Sequence, residues 1–229
     1  MTPTLVLVHG AWHGSWCWEP LADALGDVPL QTVDLPSAGD DPAALGDLYA
    51  DAAAVRSALS GIDGPTVVLG HSYGGAVITE AVTADSGVAH LIYLCAFLLD
   101  EGESLAGAVG GTPPPWWDVR PDHVLVHTPA EVFYNDVPPE LTARSVPRVS
   151  AHSLAAFGQP LTNAGWKAVP STYVICEQDQ AIPPFAQEAM AQRAGEVLRM
   201  DTGHSPFLSQ PEALAGLLRP ILHRALRGG

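Results

Sequence analysis

The sequence is short of cations. Lys and Arg together number 10 against 25 Asp and Glu, a formal charge of −15 at pH 7. A chain with that balance repels a phosphate backbone and an anionic membrane surface alike, which argues against nucleic acid and membrane as partners. The acidic residues read instead as a solubilising surface. Long apolar runs are missing too. No stretch reaches the roughly 18–20 apolar residues of a membrane span, and Met1-Thr2-Pro3-Thr4-Leu5 has no basic patch leading into an apolar segment, so the chain reads as cytoplasmic. Cysteines number three, Cys17, Cys95 and Cys176. Their odd number, and the apolar runs around the last two, make them buried thiols rather than a disulfide framework. There is no His-Glu-x-x-His, no paired Cys-x-x-Cys and no dinucleotide glycine fingerprint. The chemistry is therefore expected to need no metal and no cofactor.

What the chain has is apolar material. Hydrophobic residues make up 47% of 229 residues, and the mean hydropathy is +0.15, enough for one domain over 1–229 with a substantial core. Short β-branched or leucine-rich runs at Leu5–Val8, Leu30–Val33, Thr66–Leu69, Ala89–Leu94, Thr172–Ile175 and Val197–Met200 read as strands. Most are continuous rather than alternating, as in strands covered by helices on both faces. Helical patterns lie between them. Pro42 to Ser60 carries Leu45, Leu48, Ala52, Val55 and Leu59 on one stripe, with Asp41 as cap and Gly61 as terminator. Ala76 to Ala84 reads as a second helix, and Ser209-Gln210-Pro211-Glu212 as a capping box opening a last one that Pro220 should kink. Strand followed by helix, repeated, predicts an α/β fold: an open, mostly parallel sheet of about six strands with helices on both faces. From about residue 100 to 170 the alternation stops, and ten of the chain's 21 prolines fall there. This segment reads as an insertion over one edge of the sheet, partly helical from Pro138 to Phe157.

The run Val67-Val68-Leu69-Gly70-His71-Ser72-Tyr73-Gly74-Gly75 encloses one serine between glycines at a strand-to-helix junction. Glycines two before and two after let the chain cross closely at a turn that holds Ser72 out at the carboxyl end of the sheet, the arrangement of a nucleophile. A serine hydroxyl needs a base to take its proton, and the base needs a carboxylate to orient it. Asp179 follows the strand at Thr172 and His204 the strand at Val197, so both land at the same edge as Ser72, in the order Ser, acid, His. Asp100, after the strand at Ala89, is the competing acid, and Glu177 reads as a solvated neighbour. His71 packs beside the nucleophile. The oxyanion formed on attack needs two donors. Tyr73 N–H is one, and Ala11 N–H, in the loop His9-Gly10-Ala11-Trp12 after the first strand, is the other.

These stretches carry a resemblance. His9-Gly10-Ala11-Trp12-His13-Gly14-Ser15-Trp16-Cys17-Trp18, Gly70-His71-Ser72-Tyr73-Gly74-Gly75, Cys176-Glu177-Gln178-Asp179 and Gly203-His204-Ser205-Pro206 resemble the α/β-hydrolase superfamily, in the branch of plant methylesterases, hydroxynitrile lyases and bacterial carboxylesterases. The likeness spans nearly the whole chain and is weakest across 100–170. It implies a triad of Ser72, Asp179 and His204, an oxyanion hole of Ala11 and Tyr73, and a lid over the substrate pocket formed by 100–170. Trp12, Trp116, Trp117, Phe133 and Phe157 are candidates to wall that pocket, although core packing explains any one of them equally well. The expected activity is a carboxylesterase acting through an acyl-enzyme on a small-molecule ester of an apolar or aromatic acid or alcohol. A cyanohydrin lyase and a ligand-binding receptor on the same scaffold are the alternatives. The resemblance implies that the lyases carry a threonine after the first-strand histidine and a lysine after the catalytic one, where this chain has Gly10 and Ser205. Monomer or homodimer is left open.

Overall fold

In the computed structural model, which describes residues 3–226, the apolar runs become strands side by side. Met1 and Thr2, at the head of the stretch read for a leader, lie outside the described residues. The strands are β1 (Thr4–Val8), β2 (Leu30–Val33), β3 (Ala38–Gly39), β4 (Thr66–His71), β5 (Val88–Leu94), β6 (Trp117–Val119), β7 (His123–Val126), β8 (Ala151–Ser153), β9 (Ser171–Cys176) and β10 (Glu196–Met200). Six of them form one sheet in the order β10-β9-β5-β4-β1-β2, and every pairing in it is parallel. The central strands are covered on both faces, and all six residues of β4 are buried. Each fully buried Val, Leu or Ile there contributes roughly 1.5–3 kcal/mol, so the middle of the sheet is the most stable part of the platform that presents its carboxyl ends.

The helices depart from the sequence reading in instructive ways. Pro42–Ala44 is a separate 3-10 turn capped by Asp41, whose side chain accepts from Ala43 N. Leu45 is extended and Gly46 N donates to Pro36 O at 2.8 Å. The helix proper runs Leu48–Ser60, with Asp47 accepting from Ala50 N at 2.9 Å. Two capping aspartates six residues apart therefore start two elements, where periodicity alone suggested one. The helix after β4 spans Gly74–Ala81, ending before Ala84. The last helix is Pro211–Ala225, and its N-cap is Gln210, which makes no capping bond. Ser209 instead ends a short helix, Pro206–Ser209, and its buried hydroxyl has no partner, so no capping box forms. Pro220 sits inside a helix that continues through it.

Residues 100–170 hold more strand than the sequence suggested. β6, β7 and β8 join β3 in a small antiparallel sheet of order β3-β8-β7-β6. Helices Pro139–Ser145 and Leu154–Gly158 flank β8, which interrupts the stretch read as helical. Strands of two to four residues are too short to carry a period. The pairing of β8 with β3 stitches this segment to the loop after β2, Ala38 lying opposite His152. No helix among the described residues is long and apolar enough to cross a membrane.

Candidate active site

Ser72 follows β4 directly and holds φ 53°, a left-handed conformation unfavourable for a residue with a side chain. The turn has no room for neighbours. A Cβ at Gly70 would lie 2.5 Å from Gly74 O, and one at Gly74 would lie 2.6 Å from the carbonyls of Val8 and His9. Ser72 N donates to Leu94 O, while Ser72 O accepts from Gly75 N at 3.1 Å and Phe97 N at 3.0 Å. Strain held at Ser72, and also at Trp12 (φ 63°) and Cys95 (φ 36°), is kept in place by such surrounding bonds. The turn is not open to solvent: Ser72 is 6% exposed and His204 1%. Gly10 passes close on the other side, since a Cβ there would lie 2.8 Å from Ser72 Cβ and 2.9 Å from His71 Nδ1.

Asp179 and His204 come together from the ends of β9 and β10. His204 Nδ1 donates to Asp179 Oδ2 at 2.7 Å, which leaves Nε2 as the ring's acceptor. The carboxylate is saturated: Oδ1 accepts from Ala181 N at 2.7 Å and Ile182 N at 2.9 Å, and Oδ2 also accepts from Gln187 Nε2 at 2.9 Å. Gln187 was not singled out in the sequence. It is fully buried in the helix Pro184–Ala191, and also accepts from Cys176 N and donates to Ile182 O. His71 Nε2 donates to His204 O at 2.8 Å, so the residue before the serine anchors the histidine's loop. Burial holds the His71 imidazole well below its ordinary range, consistent with a neutral donor.

The carbonyls of Gly10, Ala11 and Trp12, in the loop after β1, are all engaged. Gly10 O accepts from His9 Nδ1 at 2.8 Å, Ala11 O from His13 Nδ1 at 2.8 Å, and Trp12 O from Ser150 N at 2.9 Å. His9 Nε2 accepts from Leu35 N, and His13 Nε2 from Tyr134 OH, so both rings are neutral and their tautomers are set. With its carbonyls spoken for, the loop presents Ala11 N–H, and neither Ala11 N nor Tyr73 N has an acceptor among the described residues. Both residues line a cavity of about 30 Å³ with Ser72.

All five aromatic candidates, Trp12, Trp116, Trp117, Phe133 and Phe157, line that same cavity. Trp12 is at the centre of the cluster, with the other four rings 5.4–5.8 Å away. The cavity shares Phe97, Val109, Pro114, Trp116, Ala181 and Ile182 with an apolar groove of about 880 Å³ that runs out past the exposed Phe185. Asp100, the competing acid, is paired at the surface with Lys167, and Glu177 lies near Arg199 at 3.7 Å. The three cysteines are free and buried. His71, Cys95 and His204 present donor atoms within 4.8 Å of one another, but His204 Nδ1 is committed to Asp179, and His71 Nε2 and Cys95 Sγ both point hydrogens at His204 O. That is a hydrogen-bonded cluster rather than a set of free ligands.

A family model described as "Alpha/beta hydrolase family" matches residues 5–217. The chain belongs to this family. Among its relatives is "Alpha/beta hydrolase nvfD" of Aspergillus novofumigatus, 29% identical over 99% of both chains. "Methylesterase 7" of Arabidopsis thaliana is 29% identical over 94% of this chain and 95% of its own. Among solved structures, a pyrethroid hydrolase from Sphingobium faniae JZ-2 superposes with a TM-score of 0.84 at 23% identity, covering 97% of this chain and 98% of the other, a likeness of fold.

Proposed function

We propose that this α/β hydrolase is a carboxylesterase that works through an acyl-enzyme on Ser72. The observation that carries the reading is the 2.7 Å bond from His204 Nδ1 to a fully bonded Asp179, with Ser72 on its strained turn in a cavity also lined by Ala11 and Tyr73. The methylesterase relative supports it. Ser72 Oγ attacks the ester carbonyl carbon as its proton passes to His204 Nε2, and the oxyanion is received by the N–H groups of Ala11 and Tyr73. Collapse breaks the bond to the alkoxy oxygen, which leaves as the alcohol with the proton from His204. Water, deprotonated by the same ring, then releases the acid. Asp179 keeps Nδ1–H in place and stabilises the imidazolium. No step calls for a metal or a cofactor.

The aromatic cluster of Trp12, Trp116, Trp117, Phe133 and Phe157 walls the reacting end, and the segment 100–170 is the lid that carries four of them. A cavity of about 30 Å³ has room for little more than a methyl group, so the bulk of an apolar substrate lies in the 880 Å³ groove. Ser205 is fully buried and uncharged, so it offers no positive charge to a departing cyanide, which favours ester over cyanohydrin. The substrate is a small molecule rather than a nucleic acid, which the balance of 25 Asp and Glu against 10 Lys and Arg repels, and the proposed location is the cytoplasm.

The test is to assay wild type and Ser72→Ala against mandelonitrile and a series of esters with one small and one increasingly long apolar arm, with a fluorophosphonate label. Ester turnover and labelling in wild type, both absent from a folded Ser72→Ala, are expected, with kcat/KM rising with arm length. Fast cyanide release with negligible ester hydrolysis would overturn the reading.

A further inference from the structure

Behind the candidate oxyanion hole lies a buried polar chain that the triad chemistry does not use. Asp51, in the first turn of the helix Leu48–Ser60, has no exposed surface. Its Oδ2 accepts from Tyr73 OH at 2.6 Å and from Ser37 Oγ at 2.5 Å, and its Oδ1 from Ser37 N at 2.9 Å. Ser37 Oγ has spent its hydrogen on Asp51, so it accepts from His152 Nε2 at 3.3 Å. The other nitrogen of that ring, Nδ1, accepts from Trp12 N at 3.5 Å. Every donor in the chain therefore points toward the carboxylate.

The two ends of this chain are the two loops that supply the donors. Tyr73 bears one of the N–H groups on its own backbone. Trp12 follows Ala11, and its strained φ of 63° sets the peptide plane next to the other. The middle of the chain, His152, sits on β8 within the segment read as the lid, opposite Ala38. Tyr73 and Phe157 pack against the His152 ring at centroid distances of 4.7 Å, so it has little room to turn.

We propose that Asp51 is a positioning residue for the oxyanion hole: through Tyr73 on one side, and through Ser37 and His152 to Trp12 on the other, it holds the Tyr73 and Ala11 N–H groups at one spacing. The proposal rests on the esterase reading above. An oxyanion donor matters only in the transition state, and displacing reacting groups by about 1 Å costs up to about 100-fold in rate. Loss of Asp51 therefore acts on kcat and leaves ground-state binding in the groove alone. A residue that merely fills the core would lower the melting temperature without touching kcat per active site.

The experiment compares wild type, Asp51→Asn, Tyr73→Phe, Ser37→Ala and Ser72→Ala, with folded active sites counted by fluorophosphonate titration. For Asp51→Asn, kcat per titrated site is expected to fall about 10- to 100-fold with KM within about threefold of wild type. The inhibition constant of a trifluoromethyl ketone, which forms a tetrahedral oxyanion adduct on the serine, should rise by the same factor. Tyr73→Phe and Ser37→Ala should each show a smaller loss in the same direction. They decide the matter if Asp51→Asn does not fold. Wild-type kcat and ketone affinity per site in the folded variants, with only the melting temperature lowered, would overturn the proposal. Ester turnover by Ser72→Ala would overturn the esterase reading and this proposal with it.

Discussion

Asp179 and Asp51 are both buried carboxylates that gather hydrogen bonds, one at each side of the cavity that holds Ser72, yet their partners differ in kind. Asp179 faces an imidazole that becomes a cation when it takes a proton, and two of its four donors are backbone N–H groups of its own loop. Asp51 faces a phenol, a hydroxyl and one backbone N–H, none of which gains charge near neutral pH. A buried anion beside a potential cation is stabilised when that cation forms, whereas a buried anion among neutral dipoles is only tolerated. The first arrangement suits a proton-transfer step, and the second suits holding a backbone still.

The sharpest way to break the comparison is Asp179→Asn. The two backbone donors on Oδ1 would hold the amide oxygen on that side, turning the NH₂ group toward His204 Nδ1 and Gln187 Nε2. His204 would then accept at Nδ1 and carry its hydrogen on Nε2, where it cannot take the proton of Ser72. A loss of about 10⁴-fold in kcat is expected, as in serine enzymes where the same change traps the wrong tautomer, with KM nearly unchanged. Steady-state kinetics on a folded variant measures it. Full activity would move the acid elsewhere and make Asp100→Asn the next variant to test.

For Asp51 the corresponding signature is in stability. Burial pushes its carboxyl up from the ordinary 3.8 to about 6, against the opposing pull of the Ser37 and Tyr73 hydrogen bonds, and nearby Asp47 adds to the rise. Between those values the folded chain keeps a proton that the unfolded chain has lost. The contribution is fully present below about pH 4 and disappears as pH rises through about 6, a change on the order of 3 kcal/mol. Denaturant titrations of wild type and Asp51→Asn from pH 4 to 7 isolate it, because the other groups largely cancel in the difference. Wild type should lose that much relative to the variant across the range. A constant difference would mean that Asp51 ionises alike in the folded and unfolded chains.

The two carboxylates were also unequally legible. Asp179, like Ser72 and His204, follows an apolar strand run, and a parallel sheet puts all strand ends of one polarity at one edge. Asp51 lies in the first turn of a helix, where no strand end points to it. Its signal was weaker: with Leu48, Ala52, Val55 and Leu59 it occupies the buried stripe, so an acid stood at a core position. Gln187 is the same case, a fully buried amide in the helix after Asp179. The six strands of the main sheet were readable as short β-branched or leucine-rich runs, continuous where both faces are buried, as in β4. β3, β6, β7 and β8 were not, since strands of two to four residues leave no local period, and β3 finds its partner β8 more than a hundred positions away. Helix starts were missed where Asp41 and Asp47 each cap an element of their own and where Ser209 caps none.

The smallest expected effect on catalysis is that of Gln187→Met, and it measures how redundantly Asp179 is held. The variant removes one donor from Oδ2 but leaves the two backbone donors on Oδ1 and the His204 bond, so the carboxylate keeps its plane and the imidazole its tautomer. A fall in kcat of less than about fivefold is expected, since the bond to the charged carboxylate, worth about 1.5–3 kcal/mol, is lost alike from the ground state and the transition state. Stability should suffer more than activity. Gln187 Oε1 accepts from Cys176 N and Nε2 donates to Ile182 O, and leaving such buried groups unpaired costs about 1–3 kcal/mol. Kinetics per titrated site and thermal melts on the same preparation separate the two. A loss approaching that of Asp179→Asn in a folded Gln187→Met would show that the glutamine, and not the backbone of residues 181 and 182, orients the acid. Asp179 would then depend on side chains as fully as Asp51 depends on Ser37 and Tyr73, and the contrast between the two sites would vanish.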